Sequence, residues 1–125
     1  MYITVDENEA RPIYRQIADE IKRLIATGEL PKGTFLPPVR QVAADLGVNL
    51  NTVAFAYRQL QREGLVKIRH GAGALVISRV LSQPADEMYS QLSAVLTHLV
   101  LAGLKPAEVR SLVDEELRRL YPNPT

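Results

Sequence analysis

Apolar residues recur at intervals of three and four residues in three stretches of the first half of the chain. This spacing places them on one face of an α-helix and predicts three helices. The first begins at Pro12 and ends at Gly28, the second ends at Gly47, and the third runs from about Leu50 to just before Gly64. The predicted inward faces are Tyr14, Ile17, Ile21 and Leu24 in the first helix, Val39, Val42, Ala43 and Leu46 in the second, and Val53, Tyr57 and Leu60 in the third.

The pattern then changes to the alternation that is typical of β-strands. Residues 65–69 alternate, His70-Gly71-Ala72-Gly73 supplies the glycines of a turn, and residues 74–77 return as a second strand. Two short helices joined by the tight connection Gly47-Val48-Asn49 form a helix-turn-helix pattern. A hairpin directly after them is the winged variant of that motif. Residues 30–38, which include three prolines, are expected to form a connector.

Two further helical patterns follow a linker-like stretch at residues 78–85 and are separated by Gly103. Two helices of this length cannot cover both apolar stripes against each other, so a second copy of the chain is expected to cover them. The alternative is that they fold back onto the winged domain. The residues predicted to dimerise are Met88, Leu92, Val95, Leu96 and Leu99 in the first helix and Val109, Val113 and Leu117 in the second.

The predicted fold class is therefore mostly α with a small β-hairpin. A winged helix-turn-helix domain is expected over residues 8–78 and a two-helix dimerisation segment over residues 79–125. The length of 125 residues suits one small domain with an appendage. The chain has no cysteine, no apolar run near the roughly 20 residues that span a bilayer, and an acidic N-terminus unlike a signal peptide. We therefore expect a cytoplasmic protein without membrane contact.

The charges are distributed unevenly along the chain. The net charge is only +1, but residues 11–79 carry eleven basic and five acidic residues, a net charge of +6. The ten residues before them have a net charge of −3, and residues 80–125 have a net charge of −2. A basic middle segment is consistent with a polyanionic partner, although an ordinary solvated surface would give the same pattern.

The third helix begins with short polar side chains that suit DNA. An α-helix fits the major groove, which is about 12 Å wide, and asparagine can pair bidentately with adenine. Asn51 and Thr52 are therefore predicted to contact double-stranded DNA, whereas Asn49 is either a contact or only a helix cap. Arg40, near the start of the second helix, is a candidate phosphate or guanine contact, or a solvated surface residue.

The tip of the hairpin and one aromatic residue of the third helix are further candidates for the interface. Arg69 and His70 stand at the tip of the hairpin, where Gly71 would let the backbone approach the minor groove or phosphates closely. Phe55 lies on the side of the third helix away from its apolar face. It could contact a thymine methyl group or pack on a neighbouring element, and the sequence does not decide between them.

The sequence offers little for an enzyme. It contains only His70 and His98 as histidines, with no phosphate-binding loop and no metalloprotease motif. Asp114, Glu115 and Glu116 are consecutive, so they point in different directions on a helix and are expected to be solvated. We predict no catalytic site, no metal and no cofactor. The remaining alternative to a DNA-binding regulator is a winged-helix protein–protein interaction module.

Residues 12–76 resemble the GntR family of bacterial regulators. The matching motifs are Pro12-Ile13-Tyr14, Gly28-x-Leu30-x-x-Gly33, Leu36-Pro37-x-Val39-Arg40, Leu46-Gly47-Val48-Asn49-x-Asn51-Thr52-Val53, Ala56-Tyr57, Leu60, Glu63-Gly64-Leu65 and Gly71-x-Gly73. The short C-terminal segment is similar to that of the YtrA subfamily. The resemblance implies a homodimeric transcription regulator, by family habit a repressor, that binds an inverted-repeat operator. It implies DNA contacts at Arg40, Asn49, Leu50, Asn51, Thr52 and Gly71.

The sequence departs from the family pattern at three positions. Pro38 stands where many members have a serine that caps the second helix, Leu50 where many have arginine, and Ala72 where a basic wing residue is common. We therefore expect the usual cap to be lost or replaced, and no arginine–guanine contact at position 50. The sequence identifies no small-molecule effector and does not exclude one. The expected binding site for an effector is a groove between the C-terminal helices and the winged domain.

Overall fold

The computed structural model describes residues 1–70, 73–82 and 86–122, within which it has five α-helices and a small antiparallel sheet. The predicted fold class is confirmed. The elements are α1 (Ile13–Thr27), β1 (Phe35–Leu36), α2 (Val39–Leu46), α3 (Leu50–Arg62), β2 (Val66–Arg69), β3 (Gly73–Val76), α4 (Asp86–Leu101) and α5 (Pro106–Leu120). The chain forms two compact units, Met1–Ser82 and Gln83–Thr125.

The first unit encloses an apolar core between α1, α2, α3 and the sheet. The inward faces predicted for α1 and α3 are confirmed: Ile17, Ile21, Val53 and Leu60 have no exposed surface, and Tyr57 has 1%. In α2, the two central apolar residues are buried, and the two at its ends are half-buried. The first two helices end at glycines in the left-handed conformation, as expected from the sequence.

The sheet has one strand more than the predicted hairpin. The expected connector contains β1, which pairs with β3, so the strand order is β1-β3-β2. This close pairing depends on Gly73, because a Cβ atom there would overlap the carbonyl oxygen of Leu36. Pro37 ends β1 after two residues, since proline has no N–H for the next ladder bond. A two-residue strand before two prolines gives no alternation that a sequence pattern could show.

The start of α2 has the changed cap that the sequence suggested. Pro38 occupies the N-cap position and makes no side-chain hydrogen bond to the helix, so the capping serine of the family is lost without a side-chain replacement. The backbone carbonyl of Pro38 accepts hydrogen bonds from the N–H groups of Gln41 (3.0 Å) and Val42 (3.2 Å). The helix is eight residues long and therefore depends on packing to hold its position.

A buried glutamine holds residues 1–11, which we call the N-terminal arm, against the rest of this unit. Gln16 is only 5% exposed, and both the nitrogen and the oxygen of its side-chain amide are hydrogen-bonded. Its Nε2 donates to the carbonyl oxygens of Asp6 (2.8 Å) and Arg11 (2.9 Å), and its Oε1 accepts from the N–H of Asp6 (2.8 Å). Ile3 and Val5 pack against the core from the arm. The first unit therefore includes residues before the predicted start at residue 8.

The second unit consists of α4 and α5. Pro106 occupies the first turn of α5, and the side chain of Glu108 accepts a hydrogen bond from the N–H of Lys105 (3.1 Å), which stabilises that helix start. The residues predicted to dimerise lie on these two helices. Leu96, Leu99 and Val109 are half-buried, and the other five are 43–56% exposed: Met88, Leu92, Val95, Val113 and Leu117.

None of the helices in the described ranges combines the length and the hydropathy of a membrane span. The predicted boundary lies between residues 78 and 79, whereas the first compact unit of the structure runs through Ser82. The difference has a physical reason, because Leu81 packs against the core and the N–H of Ser82 donates to the carbonyl oxygen of Glu63 (2.9 Å).

Candidate nucleic-acid interface

The first turn of α3 presents a polar, exposed end on a helix whose other side is core. Asn49 is the N-cap residue, and its side-chain oxygen accepts a hydrogen bond from the N–H of Asn51 at 2.7 Å. The predicted capping role of Asn49 is therefore present. That bond uses only the carbonyl oxygen of the side chain, and the amide NH₂ group supplies two further donors.

The next four residues pass from exposed to buried along the first turn of α3. Leu50 is 42% exposed, Asn51 is exposed and Thr52 is half-buried, whereas Val53 has no exposed surface. The helix start thus offers an apolar side chain, an amide and a hydroxyl group on short side chains. These groups can reach base edges and thymine methyl groups when a helix end enters the major groove.

Arg40 lies exposed in the first turn of α2, the helix that packs on α3.

The connector before α2 is held by a contact that the sequence did not predict. The buried Tyr57 of α3 donates its hydroxyl hydrogen to the carbonyl oxygen of Pro37 at 2.6 Å. Burial raises the pKa of Tyr57 well above its ordinary value, so the hydroxyl group stays protonated and remains a donor.

The wing brings a second set of candidate contacts to the surface. Arg69 and His70 are exposed at the end of β2, together with Lys67. Gly71 lies outside the described residues. Gln61 of α3 ties this strand to the helix, because its side-chain oxygen accepts a hydrogen bond from the N–H of Ile68 at 2.8 Å. The wing strand is therefore fixed to α3 by a side chain as well as by the sheet.

Phe55 packs on a neighbouring element, which was one of the two interpretations that the sequence left open. Its ring meets the ring of Tyr14 edge to face, with centroids 4.6 Å apart and an angle of 73° between the planes. The guanidinium group of Arg58 lies 5.8 Å from the centroid of the Phe55 ring. Phe55 therefore joins α3 to α1, although it stays 41% exposed.

The charges of the candidate interface suit binding of a polyanion. Three exposed residues of the candidate interface carry positive charge, namely Arg40, Lys67 and Arg69, and His70 adds a polar ring beside them. Arginine side chains make charge-assisted hydrogen bonds to phosphate groups. In the part of the chain that the structure describes, no group of three or more His, Cys, Asp or Glu side chains could hold a metal ion.

Comparisons with known proteins agree with this geometry. Residues 13–76 match the model of the family described as bacterial regulatory proteins, gntR family. The HTH-type transcriptional repressor YtrA of Bacillus subtilis (strain 168) is 30% identical over 117 residues, which cover 90% of each chain.

Two solved structures are similar over most of the chain. A transcriptional antiterminator from Listeria monocytogenes EGD-e matches with a TM-score of 0.86 and 30% identity, covering 96% of this chain and 92% of that one. YtrA from Sulfolobus acidocaldarius, a GntR-family transcription factor, matches with a TM-score of 0.62 and 38% identity, covering 80% of this chain and 97% of that one.

The family match covers more than half of the chain, and the relatives in this family are transcription regulators and not enzymes. The expectations of a DNA-binding transcription regulator and not an enzyme are therefore confirmed. The chain belongs to the GntR family of bacterial regulatory proteins, in its YtrA-like group, and is a DNA-binding transcription regulator with a winged helix-turn-helix.

Proposed function

We propose that the protein is a homodimeric repressor that binds an inverted-repeat operator in the cytoplasm. The observation that carries this proposal is the exposed, polar start of α3 on a unit that is closed by its own core. Such a helix end is ready to enter the major groove without any rearrangement of the unit. Repression is supported by the name of the relative YtrA, a transcriptional repressor.

Each candidate residue is given a role by its chemistry. Asn51 is assigned a base contact through its amide group, and Thr52 a base or phosphate contact through its hydroxyl group. Leu50 is assigned an apolar contact with a thymine methyl group. Asn49 caps α3 and can donate to the DNA backbone with its NH₂ group. The side chains of Arg40, Arg69 and His70, and the backbone of Gly71, are assigned to phosphates or the minor groove.

The proposed homodimer rests on the apolar residues of the second unit. Leu92, Val95, Val113 and Leu117 are each between 43% and 56% exposed in the single chain. Large apolar side chains that are exposed at helical spacing on each of two helices indicate an interaction site in proteins that function in water. A two-fold symmetric pair of chains would cover the same surface on both and would place two α3 helices on successive turns of DNA, about 34 Å apart.

Selection of binding sites from random duplex DNA tests the proposal directly. We expect enrichment of an inverted repeat by the purified full chain, and a dimer in size-exclusion chromatography with light scattering at the same concentration. Enrichment of a single half-site by a monomeric protein would contradict the homodimer. A salt-sensitive background without any enriched sequence would contradict sequence-specific binding.

A pair of matched variants assigns the half-site. Asn51→Ala should weaken binding to the selected operator by about 2 kcal/mol and relax the preference at one base pair in each half. Asn8→Ala, the same change at an exposed position of the N-terminal arm, should leave affinity unchanged. If both variants bind like the natural chain, Asn51 makes no base contact and its role in the proposal is wrong.

A small-molecule effector would act by changing the affinity of the protein for its operator. Operator affinity measured with and without candidate small molecules should change for a true effector. A chain whose affinity changes with none of them would be regulated by its abundance alone.

A further inference from the structure

The segment that leaves the winged unit, residues 78–82, is folded back onto that unit. We name it the exit segment. Arg79 reaches across to the C-terminal end of α1, where its Nε donates to the carbonyl oxygen of Ile25 (3.3 Å) and its terminal nitrogen donates to that of Ala26 (2.9 Å). Both carbonyl groups lie in the last turn of α1, and that of Ile25 also accepts the N–H of Gly28 (3.2 Å). The C-terminal end of a helix carries partial negative charge, so an arginine there is favourable.

Two further residues hold the C-terminal end of the exit segment against the unit. Leu81 packs against the core, and the N–H of Ser82 donates to the carbonyl oxygen of Glu63 at 2.9 Å. Ser82 also lies directly over Gly64, so that a Cβ atom at position 64 would come within 2.9 Å of the Cβ atom of Ser82. Gly64 therefore serves both the turn after α3 and the seat of the exit segment.

The two anchoring sites are themselves joined to each other. The ammonium group of Lys22 in α1 lies 2.7 Å from a carboxylate oxygen of Glu63, the residue that follows α3. Both residues are partly buried, with side chains 31% and 24% exposed, so water screens this ion pair less than one on the open surface. The exit segment is thus attached where an ion pair joins α1 to the end of α3. Only residues 83–85 separate Ser82 from the first residue of α4.

We infer that the exit segment, and Arg79 in particular, sets which spacing between half-sites the protein accepts. This inference rests on the proposed homodimer and inverted repeat. Adding one base pair between half-sites moves one of them by roughly 3.4 Å and turns it by about a tenth of a helical turn. When the exit segment is held against its winged unit, the chain between that unit and α4 is short, and the unit cannot freely follow the displaced half-site. When the exit segment is released, the connecting chain is longer and the unit can follow. Arg79 is then a positioning residue that acts on operator choice without touching DNA.

The test measures affinity for a series of inverted repeats that differ only in the spacer. The half-site comes from selection, and the spacer runs from two base pairs shorter to two longer than the selected one. For the natural chain we expect the selected spacer to bind about tenfold better than its neighbours, since avidity is lost when geometry prevents both units from engaging. Arg79→Gln should flatten this preference to within about threefold while affinity for a single half-site stays within about twofold.

Two more variants separate positioning from charge and from folding. Arg15→Gln removes the same charge from an exposed position of α1 and should keep the full spacer preference. Leu81→Ser releases a different anchor and should flatten the preference as Arg79→Gln does. A reduced preference in both exit-segment variants, with helix content by circular dichroism unchanged, supports the inference.

The outcomes distinguish this inference from the proposal beneath it. If the natural chain prefers one spacer and Arg79→Gln and Leu81→Ser prefer it equally, the exit segment does not set the spacing and the homodimeric repressor stands. If the natural chain shows no advantage of any inverted repeat over a single half-site, the proposed dimeric binding itself is wrong.

Discussion

The two compact units treat their apolar residues in opposite ways. In the first unit, the large apolar side chains of α1 and α3 are almost fully buried, and Ile17, Ile21 and Leu60 have no exposed surface. In α5 of the second unit, no described residue is buried, although the helix carries an apolar stripe. The same spacing of apolar residues along the sequence therefore leads to a closed core in one unit and to an open surface in the other.

Charge distribution sharpens the contrast. The stretch from Met88 to Leu104 contains no Asp, Glu, Lys or Arg, whereas α1 carries charged residues on its outer side. A helix that is apolar on most of its circumference is normally buried. The first unit thus covers its large apolar side chains with its own elements, whereas α4 of the second unit has the composition of a buried helix and an exposed surface.

The largest expected effect lies in the core of the first unit. Ile21→Ala removes buried methyl and methylene groups and leaves a cavity, which should lower the free energy of unfolding by about 3 kcal/mol. Chemical denaturation of the full chain should give this loss at every protein concentration. Ile77→Ala makes the same change at a residue 38% exposed and should cost well under half as much. Equal losses would show that this core is not closed.

The behaviour of the second unit should instead depend on protein concentration, because we propose that a second chain covers its apolar residues. Leu92→Glu places a charge in the exposed apolar stripe of α4 and should weaken self-association by about 100-fold, which is about 2.7 kcal/mol. Sedimentation equilibrium measures it. Gln91→Glu adds the same charge at the neighbouring position and should leave the dimer intact. A Leu92→Glu chain that associates as strongly as the natural one would show that this stripe is not the dimer surface.

Asn49 offers a way to separate stability from DNA binding within the first unit. Asn49→Ala removes the cap of α3 and should cost about 1 kcal/mol of unfolding free energy. Asn49→Asp keeps an acceptor for the Asn51 N–H and should preserve stability, but its negative charge beside phosphates should lower operator affinity about tenfold. Thermal unfolding and fluorescence anisotropy report the two effects. If Asn49→Asp binds DNA normally, Asn49 is a cap and not a contact.

The smallest expected effect concerns the hydrogen bond that holds the connector before α2. Tyr57→Phe removes the donor to Pro37 and should cost about 1 kcal/mol. Because the pKa of Tyr57 is raised in the folded protein, its protonated form stabilises the fold fully below pH ~10 and less as the pH rises further. The natural chain should therefore lose its advantage over Tyr57→Phe in urea denaturation above pH ~10. A constant difference up to pH 11 would contradict the burial of this hydroxyl group.

Much of the fold could be predicted because it depends on local patterns. The helical faces, the glycine helix ends at Gly28 and Gly47, and the hairpin all follow from spacing and backbone preference within a few residues. The cap at Asn49 was predictable for the same reason. By contrast, β1 was missed because its pairing depends on Gly73, which is distant in sequence and permits a close approach that no local pattern indicates.

The residue types of the candidate site could be predicted from the sequence, but the contacts that hold the surrounding elements in place could not. Asn51 and Arg40 are exposed in the structure, which a DNA contact at either position requires. The hydrogen bonds from Tyr57 to Pro37 and from Arg79 to the end of α1 join residues 20 or more positions apart. Such contacts exist only once the core has brought the elements together. The packing of Phe55 on Tyr14 was undecidable from sequence for the same reason.

The exit segment also has a consequence for recombination of regulators. A chimera that exchanges the helical segment between relatives would usually be cut directly after the wing, at about residue 78. Here that cut would remove Arg79, Leu81 and Ser82 and would leave two carbonyl groups at the end of α1, a patch of core and Gly64 without their covering residues. The transplantable module ends at Ser82, and a donor helix grafted behind that residue would keep the borrowed DNA-binding unit intact.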